Sequence, residues 1–369
     1  MKLKIFSDRR CLPEGIGHSV MLYPFWGKNP EDPRSPESGR FDRFVEKGSS
    51  FFEMSSLMDA DFAVMPPPWE RVMQSDAARS LANSFAEKAK QVGKRLIIFF
   101  CSDSDQDVSF ENAVVFRTSL YHSKRKPNEF AMPAWSEDFV EKYLGAKLPV
   151  RPKREKPVVG FCGYAHTLEV RLGRTVKDIL RRGAGLARIT KRTDAVSSKS
   201  APGHVIRAKA LRLLSRSPLV RTNFIIRHRF LGGALLPNGR EDPVLMHRVR
   251  LEYVHNMVES DYILCARGAG NFSYRLYETL CCGRIPVFIN TDCVLPYDVD
   301  IEWKKYCVWV DESELPLIAE KLANFHSNLS PQDFGHLQHE CRRLWEQWLS
   351  PEGFFFNFYR HFWRVEREP

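Results

Sequence analysis

The residues best suited to chemistry lie in one run, residues 262–289, YILCARGAGNFSYRLYETLCCGRIPVFI. An apolar stretch, a loop with Gly268 and Gly270, a helical pattern and a second apolar stretch follow one another, which predicts strand, loop, helix and strand. Glycines in such a loop let the backbone approach a ligand closely. The loop also stands where the N–H groups of a helix N-terminus face an anion. Arg267 precedes the turn and Arg275 falls in the first turns of the helix. Both guanidiniums suit bidentate contact with phosphate oxygens. Ser273 fits an N-cap or a phosphate donor. Glu278 follows Arg275 at i+3 and shares its helix face, where a carboxylate would accept hydrogen bonds from two vicinal ribose hydroxyls. The same spacing fits, equally well, a surface ion pair worth about 0.3–0.5 kcal/mol. Gly-Ala-Gly is not the dinucleotide fingerprint, which needs a third glycine.

Elements that could position this run are legible on both sides of it. Apolar runs at 3–6, 62–65, 96–100 and 113–116 predict strands, and the periodicity of 75–92 predicts a helix between two of them. Residues 145–157, GAKLPVRPKREKP, carry three prolines and a basic run and read as a linker. Beyond it, strands are predicted at 158–161, 224–227, 262–265, 286–289 and 308–310. Helices are predicted at 168–182, 204–217, 251–259, 274–282 and 316–325. This is βαβ logic twice over: an α/β chain of two Rossmann-like doubly wound domains facing a cleft. The expected boundaries are 1–150, 151–330 and a tail, 331–369, of two amphipathic helices packing back across the junction. Ligands are expected beyond the carboxyl ends of the strands.

Composition bounds the function. The chain has 369 residues, 43% hydrophobic and 27% charged, which is globular, and a net charge of +10 that favours anionic partners. Nine cysteines without regular spacing read as core thiols, and without paired C-x-x-C units no structural zinc site is expected. No run reaches the roughly 18–20 apolar residues of a membrane span, so a cytoplasmic protein is expected, with possible peripheral contact on the cytosolic membrane face. The basic stretch 171–229 fits anionic lipid better than nucleic acid, because no nucleic-acid-binding motif accompanies it, and two solvated helix faces fit it as well.

From residue 251 to residue 322 the chain resembles the exostosin family of glycosyltransferases. The likeness rests on R-x-x-E-x-L-x-x-G-x-I-P-V across 275–287, then L-P-[aromatic] at 295–297, an acidic residue before Trp303, and VWVDESELP at 308–316. Weaker echoes lie upstream in DADFAVMPPPW, RLIIFFCSDSD and VVGFCG. The resemblance implies a GT-B fold and transfer, with inversion, from a uridine-diphosphate sugar to the hydroxyl of a glycan or lipid-linked glycan, giving a β-linkage. It makes Arg267, Gly268, Ser273, Arg275 and Glu278 donor-site candidates. Compared with animal members, a shorter chain without their N-terminal anchor is expected: a short, soluble, microbial version.

With that expectation, further residues become candidates. Arg227 and His228 end the strand FIIRH at the cleft, where cations would neutralise the diphosphate leaving group in place of a divalent ion; no metal and no cofactor are expected. Gly163 and Tyr164 follow the first strand of the second domain and would line the same cleft. Inversion calls for a carboxylate or histidine near the acceptor hydroxyl. The first domain offers Asp103 and Asp105 after its strongest strand, and His18 after its first. Asp103-Ser104-Asp105 also opens a rival: an Asp-x-Asp transferase holding Mn²⁺ and a nucleotide sugar. A sugar-binding protein without turnover is a third reading.

Overall fold

The computed structural model describes residues 2–165, 201–234 and 242–365. The helix expected at 168–182, and much of the basic stretch 171–229, lie outside the described residues. The first sheet holds β1 (Leu3–Phe6), β2 (Phe52–Met54), β3 (Phe62–Val64), β4 (Arg95–Phe100), β5 (Ala113–Arg117) and β6 (Glu129–Ala131). All pair in parallel in the order β2-β1-β3-β4-β5-β6. Helices α1 (Tyr23–Trp26), α2 (Asp42–Phe51), α3 (Trp69–Val72), α4 (Asp76–Gln91) and α5 (Phe139–Tyr143) accompany it. Ser75 caps α4 by accepting the Ala78 N–H, and Ala78, Ala82, Phe85 and Ala89 form its buried stripe.

The second sheet holds β7 (Val158–Tyr164), β8 (Arg221–Arg227), β9 (Tyr262–Cys265), β10 (Ile285–Asn290) and β11 (Val308–Asp311). They are again parallel, in the order β11-β10-β9-β7-β8. Its helices are α6 (Gly203–Arg216), α7 (Pro243–Val258), α8 (Tyr274–Cys281) and α9 (Ile318–Ser327). Two α/β sheets of the doubly wound kind are therefore present, as expected. Strands β2 and β6 were not expected because each is three residues long and carries a glutamate. Glu129 of β6 is buried in an ion pair with Arg117 at 2.6 Å, so its charge misleads a reading by hydrophobicity.

The tail is more broken than the expected two helices. It runs α10 (Pro331–Leu344), a wide turn over Trp345–Leu349, α11 (Pro351–Phe356) and α12 (Arg360–Val365). Pro351 ends the first run, and Ser350 caps the next by accepting the Gly353 N–H. Phe355 stacks on Phe44 at 4.2 Å, and Phe358 packs on Phe116 at 4.7 Å, so the tail closes one face of the first sheet. From the second domain, Tyr297 donates its hydroxyl to the Phe354 carbonyl at 2.7 Å. Arg342 reaches Asp138 at 2.8 Å and the Cys281 carbonyl at 2.9 Å. Residues 145–157 form no helix or strand and are tied down: Arg151 pairs with Asp261 at 2.6 Å, and Arg284, fully buried, donates to the Gln338 Oε1 at 2.6 Å and to the Pro149 carbonyl. Among the described residues no helix is long and apolar enough to cross a membrane.

His326 ties α9 to the linker. Its Nε2 meets the Arg154 carbonyl at 2.7 Å and so must carry the proton, which leaves Nδ1 to accept from the Tyr262 hydroxyl at 3.0 Å. Burial holds its pKa below the usual histidine value. A histidine depressed on folding contributes stability above its unfolded pKa, near 6.5, and loses it as pH falls towards the folded value. The melting midpoint is expected to drop on acidification below about pH 6.5, and part of that drop is expected to vanish in His326→Gln, read by thermal denaturation across pH.

Candidate functional site

In the second sheet β8 lies on one side of β7 and β9 on the other, so the strand order reverses between β7 and β9. A crevice opens at the carboxyl ends of such a pair. Three arginines converge there. Arg275, in the first turn of α8, donates from Nη2 to the Cys162 carbonyl at 2.9 Å, with its guanidinium 4.4 Å from the Phe161 ring and 5.5 Å from the Tyr253 ring. Arg207 of α6 donates to the Tyr164 carbonyl at 2.9 Å and to the Arg267 carbonyl at 3.1 Å. Arg267 donates to the carbonyls of Ala201 at 2.9 Å and Ala269 at 3.3 Å. Among the described residues none of the three pairs directly with a carboxylate, and the Nε–H of each is buried without a protein acceptor. Burial, helped by the nearby Arg275, pulls the Arg207 pKa down to about 10. Side chains that give up water for carbonyls and ring faces alone remain short of negative charge.

Two glycines make room for this cluster. A Cβ at Gly163, whose φ is +155°, would lie 2.8 Å from the Arg275 Nη2, and one at Gly203 would collide with the carbonyls of Gly268 and Arg267. Arg207 is the residue that sequence reasoning missed. It stands inside an ordinary amphipathic helix with no motif beside it, and only the fold brings α6 to the loop.

Glu278 is buried and does not pair with Arg275, which removes the surface ion pair as an account of their spacing. It accepts the Tyr253 hydroxyl and sits 3.4 Å from Arg250, which is also 3.4 Å from Glu137. Burial works against the charge on Arg250, but the two carboxylates outweigh it and raise its pKa. Tyr253 and Arg250 both lie on α7, the tyrosine-bearing helix before β9. Ser273 occupies the N-cap of α8, yet its hydroxyl makes no capping bond.

The remaining candidates scatter. Arg227 is turned onto α7, donating to the Val249 carbonyl at 3.0 Å and pairing with Glu252, so its charge is already offset. His228 is exposed, Gly268 is partly buried, and Tyr164 enters the cluster through its carbonyl. Asp105 pairs with Lys124 at 2.6 Å on the surface, and that bond keeps its pKa low. The other carboxylate of the Asp-x-Asp run points elsewhere: the Asp103 Oδ1 accepts the Gly270 N–H at 3.0 Å. That contact corrects the expectation for Gly270. A Cβ there would meet the Asp103 Oδ1 at 2.7 Å and its Cα at 2.8 Å, so this glycine serves the approach of the first domain rather than of a ligand. Beside it, the Asn271 N–H donates to the Ser119 Oγ at 2.9 Å and its side chain to the Leu120 carbonyl at 3.3 Å. His18 donates from Nε2 to the Gly27 carbonyl at 2.8 Å, and burial lowers its pKa.

Comparison with known proteins bears on the same region. Residues 221–325 match the Exostosin GT47 domain. The resemblance read from the motifs is thereby shown, and the match spans β8 through α9. "Exostosin-1" of Drosophila melanogaster is 28% identical over 101 residues, 27% of this chain and 13% of that protein. "Probable glucuronosyltransferase 47 A" of Physcomitrium patens is 35% identical over 74 residues, covering 20% and 16%. A "Probable beta-1,4-xylosyltransferase" of Arabidopsis thaliana is 38% identical over 66 residues, covering 18% and 16%. The matched stretch is thus less than a fifth of each of these relatives. The solved structure of TarM aligns over 72% of this chain and 54% of its own, at 11% identity and a TM-score of 0.28. So low a score carries no argument, and the fold stands on the two sheets themselves.

If Gly270 serves domain contact, Gly270→Ala is expected to lower the melting midpoint by several degrees, about 1–3 kcal/mol of overpacking. Asp103→Ala in the same background is expected to recover part of the loss, measured as a double-mutant cycle.

Proposed function

We propose that the chain is a glycosyltransferase. In this reading a uridine-diphosphate sugar lies between the domains, with its diphosphate on Arg207, Arg267 and Arg275, and the first domain presents a glycan or lipid-linked glycan hydroxyl. The observation that carries the reading is the three-guanidinium cluster, without carboxylate partners among the described residues, at the strand-order reversal of the sheet that contains the Exostosin GT47 match. Names of the matched relatives point to glucuronic acid or xylose as the sugar.

Transfer proceeds by attack of the acceptor oxygen on the anomeric carbon, from the face opposite the leaving diphosphate, with inversion and a β-linked product. As the glycosidic C–O bond breaks, charge grows on the diphosphate. Guanidiniums fixed in a site of low dielectric stabilise that charge without reorganising, which is the role a divalent ion plays elsewhere. The reading therefore needs no metal, and activity is expected to survive a chelator. Glu278 is assigned to the ribose. A carboxylate has about four lone-pair positions, so the bonds from Tyr253 and Arg250 orient it while leaving capacity for two hydroxyls. Because it also anchors Arg250, Glu278→Gln is a cleaner probe than removal of the side chain. Solvent exposure along the basic linker, at Arg154 and Lys156, is compatible with a lipid-linked acceptor at an anionic surface.

Thermal shift with UDP, UMP and uridine separates phosphate from base recognition, since a ligand that binds only the folded state raises the midpoint by mass action. UDP is expected to stabilise the wild type most. Arg207→Gln is expected to lower UDP affinity by about tenfold or more, the scale of one or two charge-assisted bonds, and to leave uridine affinity unchanged. Equal loss for UDP and uridine would count against the diphosphate assignment.

A further inference from the structure

The first sheet has its own strand-order reversal, between β1 and β3, and a cavity of about 520 Å³ sits at the carboxyl ends of its strands. Its apolar wall includes Tyr23, Phe99 and Trp135, and its polar groups include His18 and Glu70. One side is closed by Tyr274, the first residue of α8, directly before Arg275. The cavity of the first domain therefore borders the start of the helix that carries the proposed phosphate site. Trp135 is 7% exposed, and its indole N–H is buried without an acceptor among the described residues. Aromatic faces interleaved with hydrogen-bonding groups are what a pyranose ring, apolar on its C–H faces and polar at its rim, requires of a binding site.

Glu70 is the carboxylate of this cavity. It sits just past the Pro66-Pro67-Pro68 turn, and its Oε2 accepts the Cys101 N–H at 3.0 Å. Two residues further on, Asp103 touches the glycine loop through the Gly270 N–H. Two residues of chain span at most about 7 Å between Cα atoms, so the backbone that Glu70 holds at Cys101 is close to the point where Asp103 meets the donor loop. Of the other groups on this rim that could take a proton, Asp103 is bonded to the loop and Asp105 to Lys124, while His18, which donates from Nε2 to the Gly27 carbonyl and keeps Nδ1 as an acceptor, has its pKa lowered by burial and is weakened as a base. Burial raises the pKa of Glu70, which makes its carboxylate a stronger base than an exposed one.

We infer that this cavity is the subsite for the acceptor pyranose and that Glu70 is the catalytic base, a role that rests on the glycosyltransferase reading above. The acceptor hydroxyl gives its proton to the Glu70 carboxylate as its oxygen forms the bond to the anomeric carbon. The diphosphate leaves with the electron pair of the broken C–O bond, and Glu70 later releases the proton to water.

The test compares the wild type with Glu70→Gln and Glu70→Ala. Each is melted with and without UDP, then assayed with UDP-glucuronic acid and UDP-xylose against a panel of para-nitrophenyl pyranosides. All three are expected to gain the same stabilisation from UDP. Transfer is expected to fall about 10²–10⁴-fold in Glu70→Gln, and sodium formate is expected to restore at least tenfold of the loss in Glu70→Ala but none in Glu70→Gln. A merely structural residue would show no such rescue. Transfer by Glu70→Gln within tenfold of wild type overturns the assignment of the base. A wild type that UDP stabilises but that glycosylates none of the panel overturns the pyranose subsite. A wild type indifferent to UDP overturns the underlying donor reading, and this inference with it.

Discussion

A guanidinium withdrawn from water must be satisfied by something, and around the loop after β9 three of them meet, among the described residues, only carbonyl oxygens and aromatic faces. Much of the second domain is arranged to allow this. The strand order opens a crevice between β7 and β9, and the glycines at 163 and 203 remove the Cβ atoms that would fill it. Phe161 and Tyr253 supply ring faces to Arg275, and the start of α6 is laid against the Arg267 carbonyl. Such an arrangement is costly unless a negative charge completes it, and in the proposed reading that charge is the donor's diphosphate.

The loop also contacts the first domain. Gly270 and Asn271, between the arginine cluster and α8, bind Asp103 and Ser119 directly. Further along the same edge His122 donates to the Asp292 carbonyl at 2.8 Å, and Arg125 pairs with Asp298 at 2.7 Å. The tail completes the connection, because Tyr297 and Arg342 hold it against both halves. A ligand seated on the loop thus sits among the bonds that set the domain spacing.

What was legible in the sequence follows from where its physics is local. Central strands such as 96–100 are uninterrupted apolar runs, so β4 was readable, whereas β6 hides its character behind a buried Arg117–Glu129 pair. Arg267 and Arg275 were readable because glycine and helix signals adjoin them. Arg207 was not, since its role depends on a contact 60 residues away in the chain. The motif L-P-[aromatic] carried the resemblance, yet in the structure Tyr297 and Trp303 serve packing: Tyr297 holds the tail, and the Trp303 indole donates to the Pro296 carbonyl at 3.0 Å. Glu70 drew no notice because a single glutamate after three prolines has no pattern. Its setting is visible only once the carboxyl ends of β3 and β4 are side by side.

The central claim concerns where a diphosphate sits, so the most direct measurement is a crystal structure of the chain with UDP. The account predicts phosphate oxygens within hydrogen-bonding distance of Arg207, Arg267 and Arg275, with the ribose hydroxyls at Glu278. A diphosphate bound elsewhere, or one held through a metal on Asp103 and Asp105 with the three guanidiniums untouched, would contradict it.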